Sequence, residues 1–116
     1  MPYIFKALTL LVIFIHIYIM ILEMVLWTTP RVMKIFRMNS EQALSTKVMA
    51  MNQGLYNGFL AAGLIWGLSL GALHITFFFL ICVMVAGIFG ALTANKRIFF
   101  IQALPAILAL LAGALV

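Results

Sequence analysis

Four long apolar runs dominate the chain, about Ile4 to Trp27, Val48 to Leu70, Leu73 to Ala94 and Ile98 to Val116. Each approaches or exceeds the roughly 20 helical residues that cross a hydrocarbon core of about 30 Å. In lipid an unpaired backbone group costs several kcal/mol, so segments of this kind fold as helices, which pair their own backbone. The expectation is therefore all-α: an integral membrane four-helix bundle forming one domain over residues 1–116. A basic loop at 28–47, holding a short interfacial helix, separates spans one and two. Of the 116 residues 67% are apolar and 8% charged, against about 45–50% and about 25% in soluble domains, which leaves no room for a separate soluble domain.

The first run follows Lys6, as a secretory leader would. It is longer than a usual leader core and ends Glu23-Met-Val-Leu-Trp27 without a small-x-small cleavage pattern, so it is read as a retained span. Pro105 lies near the start of the fourth run, where it should kink the helix or loosen its first turns.

The loop begins Thr28-Thr29-Pro30-Arg31, where Thr29 can cap a helix whose first residue is Pro30. Arg31, Lys34 and Arg37 recur at three-residue spacing with Val32, Ile35 and Phe36 on the other side, the pattern of a helix in the headgroup plane. Asn39-Ser40 then turns the chain. Arg31, Lys34, Arg37 and Lys47 lie in this loop, Lys96 and Arg97 lie between spans three and four, and Lys6 lies near the N-terminus. The positive-inside rule makes both basic loops cytoplasmic and both termini extracytoplasmic, in a multi-pass protein of the bacterial cytoplasmic (inner) membrane. The basic excess thus reads as a topology signal, with anionic-lipid or ligand contacts at Arg31, Lys34 and Arg37. No nucleic-acid partner is expected.

With this topology, Glu23 near the inner end of span one and Asn52 and Gln53 near the inner start of span two share a depth. Advancing about 100° per residue, Asn52, Gln53, Tyr56 and Asn57 fall within an arc of roughly 140° and form one polar face. Glu23, His16 and Trp27 lie within about 40° of one another on span one, with Thr9 continuing the stripe. An ionised carboxylate in a bilayer costs at least about 2.5–3.5 kcal/mol, so Glu23 should face the interior, be partnered or be protonated. The expected site is an inner-leaflet polar pocket of Glu23, His16, Asn52, Gln53, Tyr56, Asn57 and Trp27, with Gln102 of span four at a similar depth. The same residues also suit an interhelical hydrogen-bond network that only fixes packing.

Gly54/Gly58 and Gly63/Gly67/Gly71 form small-xxx-small repeats, the pattern of close helix contacts, within the chain or between copies in a homo-oligomer. His74 falls at the outer interface, and Cys82 and the methionines read as packing. One cysteine and two histidines make no metal cage. No Gly-rich phosphate loop or Ser/His/Asp set occurs, so a hydrolase is disfavoured and no cofactor or metal is expected.

The stretches Leu22-Glu-Met-Val-Leu-Trp-Thr-Thr-Pro-Arg31 and Asn52-Gln-Gly-Leu-Tyr-Asn-Gly-Phe-Leu-Ala-Ala-Gly63 resemble the signature of a small bacterial membrane family, a domain of unknown function numbered thirteen-oh-four. The resemblance covers essentially the whole chain. It implies that Glu23, Trp27, Pro30, Arg31, Asn52, Gln53, Tyr56 and Asn57 belong to a recurring pattern, and it carries no reaction to transfer. Three functions stay open. One is a small-ligand carrier or proton-coupled exporter using Glu23, similar to the small multidrug-resistance exporters in size and in a single first-span glutamate but without their motifs. The second is a membrane enzyme similar in layout to the glutathione-using four-helix enzymes, with Arg31, Lys34 or Lys47 holding an anion and Asn52 or Tyr56 orienting it. The third is a non-enzymatic accessory subunit that docks through its glycine faces.

Overall fold

The computed structural model describes residues 1–115; Val116, the last residue of the fourth expected span, lies outside the described residues. Helix makes up 83% of the structure, and no strand occurs among the described residues, so the all-α fold class holds. The helices are α1 (Tyr3–Met24), α2 (Pro30–Ile35), α3 (Ser40–Ser45), α4 (Lys47–Ser69), α5 (Leu73–Thr93) and α6 (Leu104–Ala114), with a π-helical turn at Phe99–Ala103. Two of these, Tyr3–Met24 and Leu73–Thr93, are long and apolar enough to cross a membrane; the apolar stretch Phe99–Ala114 is shorter. Helix α4 has the length, but Asn52, Gln53, Asn57 and its glycines dilute its hydropathy.

The chain divides into two compact units, one of Met1–Ile15 with the chain from Leu60 on, the other of His16–Phe59. In the first, small residues set the spacing between helices. A Cβ on Gly87 of α5 would lie 2.6 Å from the Ala103 backbone nitrogen, one on Gly113 would lie 2.5 Å from the Phe77 ring, and one on Gly63 would enter the Phe79 ring. Ala103, Ala106, Ala109 and Gly113 are buried along the α6 segment. Phe5, Leu64, Leu80 and Val83 fill the interior of this unit, and Phe5 meets Phe77 at a ring distance of 5.9 Å. Thr9 is wholly buried, and its hydroxyl has no hydrogen-bond partner among the described residues.

The expected disturbance at Pro105 takes the form of the π-helical turn immediately before it. Proline has no N–H to donate to the carbonyl four residues back and its ring crowds that carbonyl, so widening the preceding turn accommodates it.

Span one is shorter than its apolar run. Helix α1 ends at Met24, where the N–H groups of Val25 and Leu26 both reach the Ile21 carbonyl, and Thr29 N–H returns to Leu26. Pro30 bars α1 from running on into α2: it disfavours helical backbone at the preceding residue, and Thr29 accordingly sits at φ −77°, ψ 151°. Pro30 then opens α2, as expected. Thr29, however, makes no side-chain cap; its hydroxyl donates to the Leu26 carbonyl at 2.7 Å. A second correction concerns Asn39-Ser40, which starts a further helix, α3, rather than only a turn. Asn39 Oδ1 accepts from Gln42 N–H at 2.8 Å and Gln42 Oε1 accepts from Asn39 N–H at 3.0 Å, a reciprocal capping box.

Helices α2 and α4 end alike. After α2, Met38 N–H reaches the Met33 carbonyl and Arg37 N–H the Lys34 carbonyl; after α4, Ala72 N–H reaches Gly67 and Gly71 N–H reaches Leu68. Both are Schellman closures, which place one residue in left-handed backbone. That residue is Gly71 at φ +63° in one and Arg37 at φ +55° in the other.

Candidate functional site

The unit His16–Phe59 contains an open cleft of about 410 Å³. Its wall takes Glu23 and Trp27 from the end of α1, Phe36, Arg37 and Met38 from the turn after α2, Gln42, Ser45 and Thr46 from α3 and its cap, and Met49, Ala50 and Gln53 from α4.

Glu23 is placed by the glycines of α4. A Cβ on Gly54 would lie 2.5 Å from Met24 Cγ and 3.1 Å from Glu23 Cβ, and one on Gly58 would lie 2.7 Å from the Met20 sulfur. That closeness lets Asn57 Nδ2 donate to Glu23 Oε1 at 2.7 Å. A bond from a neutral amide to a carboxylate is charge-assisted and stronger than its neutral counterpart. Among the described residues nothing donates to the other oxygen, Oε2.

Trp27 is fixed by the cap of α3. Its indole N–H donates to Thr46 Oγ1 at 3.0 Å, and that hydroxyl donates to the Gln42 carbonyl at 2.7 Å. The Trp27 ring also meets Phe36 at 4.9 Å, a tilted pair worth about 0.5–1.5 kcal/mol beyond the area buried. With its one donor satisfied within the chain, Trp27 presents an apolar, quadrupolar surface to the cleft.

The expected pocket is thus assembled in part. Glu23, Trp27 and Gln53 line the cleft and Asn57 holds Glu23. Asn52 and Tyr56 do not join them: Asn52 Nδ2 bonds back to the Val48 carbonyl at 2.8 Å, and Tyr56 is 52% exposed beside Phe59. The reason is helical phase. Gly54 marks the side of α4 facing α1, and positions 52 and 56 fall about 160° from it, on the far side. His16 is buried at 1% exposure and is not part of the cleft wall. Gln102 belongs to the other unit, half-buried in the π-helical turn.

The glycines divide similarly. Gly54 and Gly58 pack against α1, Gly63 against Phe79 and Gly67 against Thr76, all within the chain. Gly71 has no neighbour within 4 Å of a built Cβ, so it serves the helix end rather than helix packing. Arg31 and Lys34 are exposed on α2 and stand outside the cleft, whereas Arg37, grouped with them in sequence, lies on its wall.

Sequence reasoning missed Gln42, Ser45 and Thr46. The Asn39-Ser-Glu-Gln42 capping pattern was the available signal for α3, and a helix there brings Thr46 within reach of Trp27. A second cleft of about 480 Å³ in the other unit is lined by Ile88, Ala91, Leu92, Phe99 and Phe100, with Lys96 its one charged residue. Among the described residues no group of three or more His, Cys, Asp or Glu side chains could hold a metal ion.

Fold and site together define an all-helical protein with a largely apolar surface and one cleft carrying both an acid and a base. The chain belongs to the family described as Protein of unknown function (DUF1304), whose sequence model matches residues 10–114. It is 36% identical over 110 residues to the uncharacterized protein YpaA of Lactococcus lactis subsp. lactis (strain IL1403), a match covering 91% of this chain and 92% of that one. No solved structure matches it.

Proposed function

We propose that the chain is a four-span protein of the bacterial cytoplasmic membrane, with both termini outside, that binds a small polar ligand in the Glu23 cleft. Two features support the membrane placement. Only 28% and 22% of the most apolar windows of α1 and α5 are buried, whereas a core helix of a soluble protein buries most of its surface. Phe14, Phe78, Phe89 and Leu92 stand well exposed, and lipid is the solvent in which such side chains carry no hydrophobic penalty. The orientation is supported by charge: six of the seven basic residues lie in the two loops assigned to the cytoplasm.

The observation that carries the ligand reading is the state of Glu23: it lines a cleft of about 410 Å³, and Asn57 holds only one of its two carboxylate oxygens. Clefts of about 300–1,000 Å³ with a few fixed polar groups are typical small-molecule sites. An acid inside a membrane segment marks a ligand, ion or proton site by default. If the ligand is carried across the membrane, Glu23 is the group that would exchange it for a proton.

Native mass spectrometry of the protein released gently from its membrane, wild type beside Glu23→Gln, tests this without assuming a substrate. Glutamine keeps an acceptor for Asn57, so the fold should persist. The expected result is a small bound mass on the wild type that the variant lacks, with the oligomeric state read from the same spectrum. Identical spectra with nothing bound would remove the ligand reading.

A further inference from the structure

We infer that the ligand class of the cleft is a zwitterion: a small molecule carrying an ammonium group for Glu23 and an anionic phosphate or carboxylate for Arg37. The inference rests on the reading of the Glu23 cleft as a ligand site. Glu23 and Arg37 line the same cavity, and among the described residues no ion pair joins Arg37 to any acid. Arg37 is exposed at the mouth of this open cleft, so a ligand with a single charge could engage either group alone; a ligand carrying both charges gains a charge-assisted contact at each end and binds more tightly than either single charge. A ligand with both charges satisfies both.

The two ends are suited to their tasks in different ways. At the acidic end Oε2 of Glu23 has no donor among the described residues, and the Trp27 surface, immobilised by Thr46, adds the aromatic contact that ammonium groups favour. At the basic end the guanidinium offers a planar fork of donors matched to carboxylate or phosphate oxygens. The backbone there is independent support: Arg37 occupies left-handed geometry at φ +55°, a strained arrangement for a residue with a Cβ and one found at ligand clamps.

A phospholipid headgroup and a free amino-phosphate present the same chemistry, and binding assays in maltoside micelles separate them. The probes are O-phosphoethanolamine and dioctanoyl phosphatidylethanolamine, each beside single-charge controls: ethylamine, inorganic phosphate and dioctanoyl phosphatidylglycerol. The expected result is that at least one zwitterion binds about tenfold or more tighter than every control, and that Glu23→Gln and Arg37→Gly each abolish that preference. Preference for the lipid assigns the site to headgroups, and preference for the free compound assigns it to a soluble metabolite. Ethylamine binding as tightly as the zwitterions, or a preference that survives Arg37→Gly, overturns the zwitterion while leaving the Glu23 cleft as a cation site. Loss of the wild-type bound mass in Glu23→Gln reports on the cleft itself, so the two failures are distinguishable. Glycine fits the Arg37 backbone better than arginine does, so loss of fold does not confound that variant.

Discussion

The ends of α4 and α2 use the same two hydrogen bonds and differ in one residue. After α4 the left-handed position is Gly71, which meets open space; after α2 it is Arg37, whose side chain lines the cleft. Left-handed backbone costs an L-residue about 1–2 kcal/mol and costs glycine almost nothing. The first turn therefore serves the fold alone. The second carries a costlier residue whose side chain lines the cleft, which fits the ligand role proposed for Arg37. The same closure can thus end a helix with or without bringing a charged side chain to a cleft.

Four substitutions test that contrast by thermal unfolding in micelles. The largest effect should come from Gly67→Ala, because the new methyl would meet the Thr76 hydroxyl and backbone just where α4 closes; the expected loss is about 1–3 kcal/mol. An unchanged melting temperature there would mean that α4 and α5 are not held together at this turn. Gly71→Ala comes next, with a net loss of about 1 kcal/mol: backbone strain of about 1–2 kcal/mol, partly offset by the smaller freedom of alanine in the unfolded chain. Since no side chain is displaced, a larger loss would show that the turn has another role.

Asn39→Ala removes the cap of α3, beside Arg37, and should cost about 1 kcal/mol. It should also loosen Trp27, since α3 carries the Thr46 acceptor; a fully preserved indole environment would separate the cap from the cleft. The smallest effect belongs to Arg37→Gly, a net gain of about 0.5 kcal/mol after the greater freedom of glycine in the unfolded chain is subtracted. A clear loss instead would assign Arg37 a packing role and erase the difference between the two turns.

The apolar runs named the long helices because burial in lipid or protein rewards the same continuous hydrophobicity. Their limits were less legible. Pro30 keeps α1 and α2 from forming one helix through its effect on Thr29, a local backbone rule that hydropathy does not carry. The short helices were half-visible: Pro30 announced α2, while α3 was written in the Asn39/Gln42 pair and read only as a turn. At the site, Glu23 was legible as an acid needing a donor and Asn57 as one donor of a polar face, although the depth match was drawn to Asn52 and Gln53. Asn52 and Tyr56 were drawn in by a polar arc too wide to say which part of it faces α1; the closeness of Gly54 to Glu23 decides that. Arg37 was hidden by its company, since its spacing with Arg31 and Lys34 gives it the period of a surface helix that has already ended at Ile35.

The bond from Trp27 to Thr46 has an optical consequence. The chain has two tryptophans; Trp66 stands 54% exposed on α4, and Trp27 is anchored on the wall of the cleft. In a Trp66→Phe background the emission of the protein comes from one indole, with its N–H committed to a hydroxyl and its ring beside the place a ligand would occupy. Occupancy of the cleft would then register as a change of colour or intensity in an unlabelled protein, so the molecule carries its own binding indicator.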